Sequence, residues 1–106
     1  MRTIKSRGDF ERVFSRGRRL NDSLLRVRVL PTGEGTPGRV AFVAAKRLGN
    51  AVFRNRCKRV LREAARICEL PREGYDVILF STGATHDSSP ESVAVSLRRL
   101  LKKCDA

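Results

Sequence analysis

The sequence predicts an α+β fold: an α-β-β-α-β-α sandwich, with helices packed on a small mixed sheet. Three observations predict it. Two long segments carry apolar residues at helical spacing, and a shorter one near the start does the same. Three short runs between them have the alternating or continuous apolar pattern of strands. The chain has 106 residues, 41% of them hydrophobic, which suits one modest core and a single domain over residues 1–106.

Ser6 is placed to cap a first helix running to about Arg16, with Gly17 as its stop. Phe10, Val13 and Phe14 share one face of it. Leu24 to Leu30 reads as a strand, with Leu25, Val27 and Val29 on one side and Arg26 and Arg28 on the other. The stretch from Pro31 to Gly38 holds two prolines and three glycines and reads as a flexible hairpin loop. Arg39 to Ala45 is a second strand, apolar enough to lie centrally in the sheet.

Asn50 is suited to cap the longest helix, which extends to about Cys68. Phe53, Cys57, Val60, Leu61, Ala64 and Cys68 fall on one face at about 100° per residue. Arg54, Asn55, Lys58, Arg59, Arg62 and Arg66 cover the other. Arg56 lies at the boundary, where its stem can pack while its guanidinium reaches outward. Pro71 and Gly74 close this unit. Tyr75 to Thr82 is a third strand, and Gly83 to Ser89 a polar loop. Ser89-Pro90-Glu91 is a helix start with proline at the first helical position. Val93, Leu97, Leu100, Leu101 and Cys104 then form an apolar stripe. The strand–helix–strand section is a crossover unit, right-handed by general rule.

Charge dominates the functional reading. Lys and Arg number 23 against 11 Asp and Glu, for a formal net charge of +12. Residues 46 to 66 hold eight basic side chains and one acid, Glu63. Ordinary surface helices interleave acids and bases at i,i+4 spacing; here repulsion goes largely unrelieved unless a polyanion lies across it. That favours a nucleic-acid-binding surface over a merely solvated face. Gly49 permits close backbone approach, and the following helix start offers N–H groups to a phosphate. No apolar run approaches the length of a membrane span, and no signal-peptide pattern opens the chain, so no membrane partner and a cytoplasmic location are expected.

Other chemistry finds little material. Cys57, Cys68 and Cys104 have no ligand-pair spacing and read as small buried hydrophobes, with no metal site expected. His86, the only histidine, sits in a polar loop without a partner motif for general-base work. Phe10 and Phe14 are i,i+4 neighbours bordered by Arg7, Arg12 and Arg16. Residue type alone favours the core for them, with a stacking platform for unpaired bases as the alternative. Arg26 and Arg28 could equally line a groove or solubilise an edge strand. Arg98, Arg99, Lys102 and Lys103 complement the dipole of the last helix.

The run Lys46-Arg47-Leu48-Gly49-Asn50-Ala51-Val52-Phe53-Arg54-Asn55-Arg56-Cys57-Lys58-Arg59 closely resembles the signature of the bacterial ribonuclease P protein subunit. Asp9-Phe10-x-x-Val13-Phe14-x-x-Gly17 is similar to that family's opening helix, and Tyr75-Asp76-Val77-Ile78 to its last strand. The resemblance implies a ribosomal protein S5 domain 2-like fold with a left-handed crossover, against the general rule. It implies a non-catalytic polypeptide that joins a catalytic RNA, with magnesium held by the RNA and substrate, to cut the 5′ leader from precursor tRNA. No DNA partner follows from it. Lys46, Arg47, Gly49, Asn50, Arg54, Asn55, Arg56, Lys58, Arg59, Arg62 and Arg66 would contact the RNA subunit. Phe10, Phe14 and Arg28 would move to the wall of a cleft holding the single-stranded leader. Two departures stand out. The family often has an aromatic residue where Arg28 stands, and many relatives carry an Ala-Arg pair where this chain has Phe80-Ser81. A small ribosomal-type RNA binder shares the charge and fold class. A stand-alone nuclease or DNA-binding regulator has little support, for want of acid clusters or a helix-turn-helix.

Overall fold

The computed structural model describes residues 1–106. Three helices pack on a four-stranded mixed sheet. Helix α1 spans Arg7–Arg16, and Ser6 Oγ caps it by accepting from the Asp9 N–H at 3.3 Å. Strand β1 (Arg18–Asn21) follows directly, because Gly17 has no Cβ to strike the Val13 carbonyl. Strands β2 (Leu25–Pro31) and β3 (Arg39–Val43) precede a 3₁₀ turn at Lys46–Leu48 and helix α2 (Ala51–Ile67). Strand β4 (Tyr75–Ser81), a 3₁₀ turn at Thr85–Asp87 and helix α3 (Pro90–Lys102) complete the chain. Asn50 and Ser89 cap α2 and α3 through their side-chain oxygens, and Pro90 stands in the first turn of α3.

The sheet order is β1-β2-β4-β3. β4 lies between β2, its antiparallel neighbour, and β3, its parallel one. This corrects three expectations. The loop from 31 to 38 is not a hairpin, because β2 and β3 flank β4 and do not pair. β3 is an edge strand and not a central one. Its apolar composition reflects covered faces, and its free edge is partly taken by the N-terminal segment. There, Ile4 donates to the Val40 carbonyl at 2.8 Å and Val40 to the Arg2 carbonyl at 3.1 Å. The third correction is β1 itself, which the sequence pattern missed. An Arg-Arg-Leu-Asn segment has no apolar alternation to reveal it. It is a strand because its backbone pairs with β2 from Arg18↔Val29 to Asn21↔Arg26.

Register assigns the two sheet faces. Leu25, Val27 and Val29 of β2 align with Ser81, Leu79 and Val77 of β4, and Val40 and Phe42 of β3 extend the row. This face meets α2 and α3 in a single apolar cluster with Leu61, Ala64, Leu97 and Leu101, all fully buried. Cys57 and Cys68 are buried as expected, but Cys104 lies beyond the end of α3 and is only half-buried. Burial pushes all three thiols above their ordinary value, which leaves them poor nucleophiles.

The opposite face carries Arg26, Arg28, Ile78, Phe80, Arg39, Asp76 and Val43. Only α1 covers it, so it is half-closed. Arg39 fixes the helix there. Its Nη2 donates to Asp76 Oδ2 at 2.7 Å and its Nη1 to Asp9 Oδ2 at 2.8 Å. An exposed pair such as Arg7–Glu11 contributes about 0–1 kcal/mol. The Arg39 bridge differs because the Asp76 side chain is only 1% exposed and its charge has no water to return to. These bonds hold the Arg39 guanidinium above its ordinary value, and its hydrogen bond holds the Asp9 carboxyl below its own. Arg39→Ala is expected to cost about 3 kcal/mol by stranding the Asp76 carboxylate. Urea unfolding should show a lower midpoint at unchanged slope. An unaltered midpoint would mean that Asp76 does not depend on Arg39.

Candidate nucleic-acid interface

Two basic surfaces stand on opposite sides of the sheet. The first is the outer face of α2. Asn55, Arg59, Arg62 and Arg66 are exposed, and Arg54 and Lys58 are half-buried beside them. Glu63 Oε2 lies 3.3 Å from Arg66 Nη1, the only ion pair on this helix. Arg62 also sits over the Phe42 ring at 5.3 Å, a contact that holds the guanidinium without neutralising it. Arg54 Nε is shielded from solvent and has no hydrogen-bond partner.

The start of α2 is built by close packing. Asn50 Oδ1 accepts from the Phe53 N–H at 2.9 Å, so this side chain serves the helix end. Gly49 lies against the Phe53 ring, where an added Cβ would be 2.9 Å from Cγ. Phe53 in turn stacks on His86, with centroids 4.1 Å apart and planes within 2°. Asp87 Oδ1 lies 2.7 Å from His86 Nδ1, and Arg56 Nε donates to the His86 carbonyl at 2.9 Å. His86 thus braces the loop after β4 against α2. Sequence reasoning missed that role, because the partner lies some thirty residues away and no local pattern signals it.

The second surface is a cleft on the half-closed sheet face, with a volume of about 280 Å³. Phe14, Arg28, Arg26 and Phe80 line it, with Arg19 and Asn21 from β1 and Arg47 from the turn before α2. Arg28 lies over the Phe14 ring at 4.2 Å and donates to the Phe14 carbonyl. Burial, and then the nearby Arg19 charge, hold its guanidinium below its ordinary value. Phe80 meets Phe14 edge-on at 5.9 Å. Of the residues expected at a cleft, Phe14 and Arg28 are in its wall. Phe10 is not in the lining; its ring stacks behind Phe14 at 6.3 Å. Arg26, which the sequence left open between a groove and an edge strand, lines the cleft, and β2 is an inner strand; Phe80 and Arg19 are cleft residues that the sequence does not single out for this site. The nearest signal for Phe80 is that Phe80-Ser81 stands where many relatives carry an Ala-Arg pair.

Lys46 and Arg47 are exposed in the 3₁₀ turn, and Arg47 also reaches the cleft. The turn therefore joins the cationic ridge to the aromatic cleft. No group of three or more His, Cys, Asp or Glu side chains is arranged to hold a metal ion. No helix is long and apolar enough to cross a membrane.

Fold and surface together define a small basic α+β domain with a cation-lined aromatic cleft. The profile of the Ribonuclease P family matches residues 1–105, and the chain belongs to that family. A ribonuclease P protein component from Gluconacetobacter diazotrophicus is 37% identical over 102 residues, covering 94% of this chain and 88% of its own. One from Symbiobacterium thermophilum is 42% identical over 85 residues, covering 79% and 74%. The solved RNase P protein of Staphylococcus aureus superposes with a TM-score of 0.79 at 27% identity, over 98% of this chain and 95% of that one. The Thermotoga maritima protein, at 24% identity and a TM-score of 0.77, shares the fold over 97% of both chains. The chain is accordingly the protein component of a tRNA-processing ribonucleoprotein, with the RNase P RNA as its partner.

Gly49→Ala is expected to destabilise the fold by about 1–3 kcal/mol, because the new methyl must displace the Phe53 ring. The His86 ring proton shifts in NMR should move with it. An unshifted His86 spectrum would show that Gly49 is not needed for the stack.

Proposed function

We propose that the outer face of α2, with the turn before it, binds the RNA subunit, and that the cleft beside α1 holds the 5′ leader of precursor tRNA. The observation that carries this is the joining of unlike surfaces by one turn. A dense cationic ridge suits the phosphates of a folded RNA. A cleft that combines Phe14 and Phe80 with Arg19, Arg26 and Arg28 suits unpaired bases and their backbone. Stacking and backbone charge tolerate any sequence, which leader handling needs because leaders vary. Arg47 stands where one RNA gives way to the other.

On this reading Lys46, Arg54, Asn55, Arg56, Lys58, Arg59, Arg62 and Arg66 contact the RNA subunit. Gly49 and Asn50 support them by packing against Phe53 and capping the helix. Phe10 acts from behind, through its stack on Phe14. Magnesium stays with the RNA and substrate phosphates, since Asp9 and Asp76 are both turned toward Arg39. The chain supplies affinity and orientation rather than a catalytic group, and acts as a single domain over residues 1–106.

Adding the protein to its cognate RNA at low magnesium should restore leader removal. No gain in cleavage or precursor binding would end the proposal. In the same assay Phe14→Ala should weaken binding of precursor tRNA about tenfold while leaving mature tRNA bound as before, in line with about 1–3 kcal/mol per stacked base. Equal losses for both would remove the leader from the cleft. Arg54→Ala combined with Arg59→Ala should weaken RNA-subunit binding and flatten its salt dependence by roughly two phosphate contacts. An unchanged salt slope would move that contact elsewhere.

A further inference from the structure

Helix α1 is a ridge between two troughs. Val13 faces the sheet and is fully buried. Phe14 projects to one flank, into the cleft. Arg12 and Arg16, a turn apart, project to the other. That second flank holds a larger open cavity of about 580 Å³, lined by Arg2, Arg12, Arg16 and Arg39 with Thr32 and Thr36. It has no aromatic residue in its lining.

Only half of the arginines there are paired internally. Asp9 and Asp76 are the carboxylates at this flank, and both are bound to Arg39. Arg12 shares Asp9 at 3.2 Å. Arg2 and Arg16 make no ion pair. The Arg2 backbone is anchored all the same, because its carbonyl accepts the Val40 N–H at the β3 edge. In the wall, Thr32 Oγ1 is shielded and has no hydrogen-bond partner. A cationic hollow without a stacking surface suits phosphates and not bases.

The trough continues the cleft along the same strand. Arg26 and Arg28 serve the cleft and Leu30 the trough, and all three lie on the α1 face of β2 at alternate positions. Arg28 and Leu30 are therefore about 7 Å apart. The α2 ridge is on the far side of the sheet. We infer that this trough takes the phosphate backbone of the same single strand after it leaves the aromatic cleft, passing the C-terminal end of α1 at Arg16. The inference rests on the cleft holding the leader. It adds a base-independent contact for the part of a long leader farther from the cleavage point.

The test compares the reconstituted holoenzyme carrying Arg2→Ala and Arg16→Ala with wild type. Precursors with leaders from about four to about sixteen nucleotides span the usual range of single-strand site sizes. The double variant should bind short-leader precursors and mature tRNA as wild type does, and long-leader precursors about tenfold more weakly. Its salt slope on long leaders should fall by roughly 1.4, about 0.7 for each single-strand phosphate that no longer meets an arginine. Arg2→Lys with Arg16→Lys should restore most of the binding. Losses independent of leader length, losses confined to RNA-subunit binding, or no loss would each overturn the inference. Wild type serves as the control for the parent reading. If it fails to prefer precursor over mature tRNA, the cleft assignment falls. If it keeps that preference and the variant matches it, only the trough falls.

Discussion

Arg39 is the constraint on which the rest of the molecule depends. It is the side chain that ties β4 to the helix on the half-open face by charge. Asp76 is buried at the start of β4, and a buried carboxylate is tolerable only with a cation hydrogen-bonded to it. Arg39 supplies the cation from the neighbouring strand and extends its other nitrogen to Asp9 on α1. Helix α1 buries only Val13 fully, too little apolar surface to hold it in one pose by packing alone. The ion bridge at one end and the Phe10–Phe14–Phe80 contacts along it determine where the helix lies. The cleft and the trough are the two spaces left over.

The division of labour between sheet faces follows. The face toward α2 and α3 is closed by Leu, Val and Ala and carries most of the stability. The other face is free to carry arginines and phenylalanines that would be wasteful in a core. The exposed side of α2 carries charge for a related reason. Its inner side is anchored by Cys57, Leu61 and Ala64, so the helix survives repulsion among its arginines that an isolated helix would not.

The sequence made some of this legible and hid the rest for physical reasons. The two faces of α2, its Asn50 cap and the stripe of α3 from Val93 to Leu101 are local periodic patterns, and they stand where the spacing put them; only Cys104 falls past the helix end. The alternation of β2 separates Leu25, Val27 and Val29 from Arg26 and Arg28 as expected. Strand order was not legible, because pairing of β2 with β4 is a long-range choice that no local run encodes. β1 escaped because an edge strand needs only backbone partners. The cleft was half visible. Residue type left Phe14, Arg26 and Arg28 open, and resemblance moved Phe14 and Arg28 to the cleft, whereas Phe80 enters only once β4 is known to lie beside β2. The His86–Phe53 stack was invisible for the same reason.

The half-open sheet face is, on this view, the seat of the leader strand, and a photo-cross-link tests that most directly. A benzophenone side chain would replace Phe80 at the cleft floor, and the holoenzyme would be irradiated with precursor tRNA bound. Cross-links mapped by primer extension should fall on leader nucleotides and disappear when mature tRNA is used. Cross-links to the mature tRNA body or to the RNA subunit would contradict the placement of the leader in this cleft.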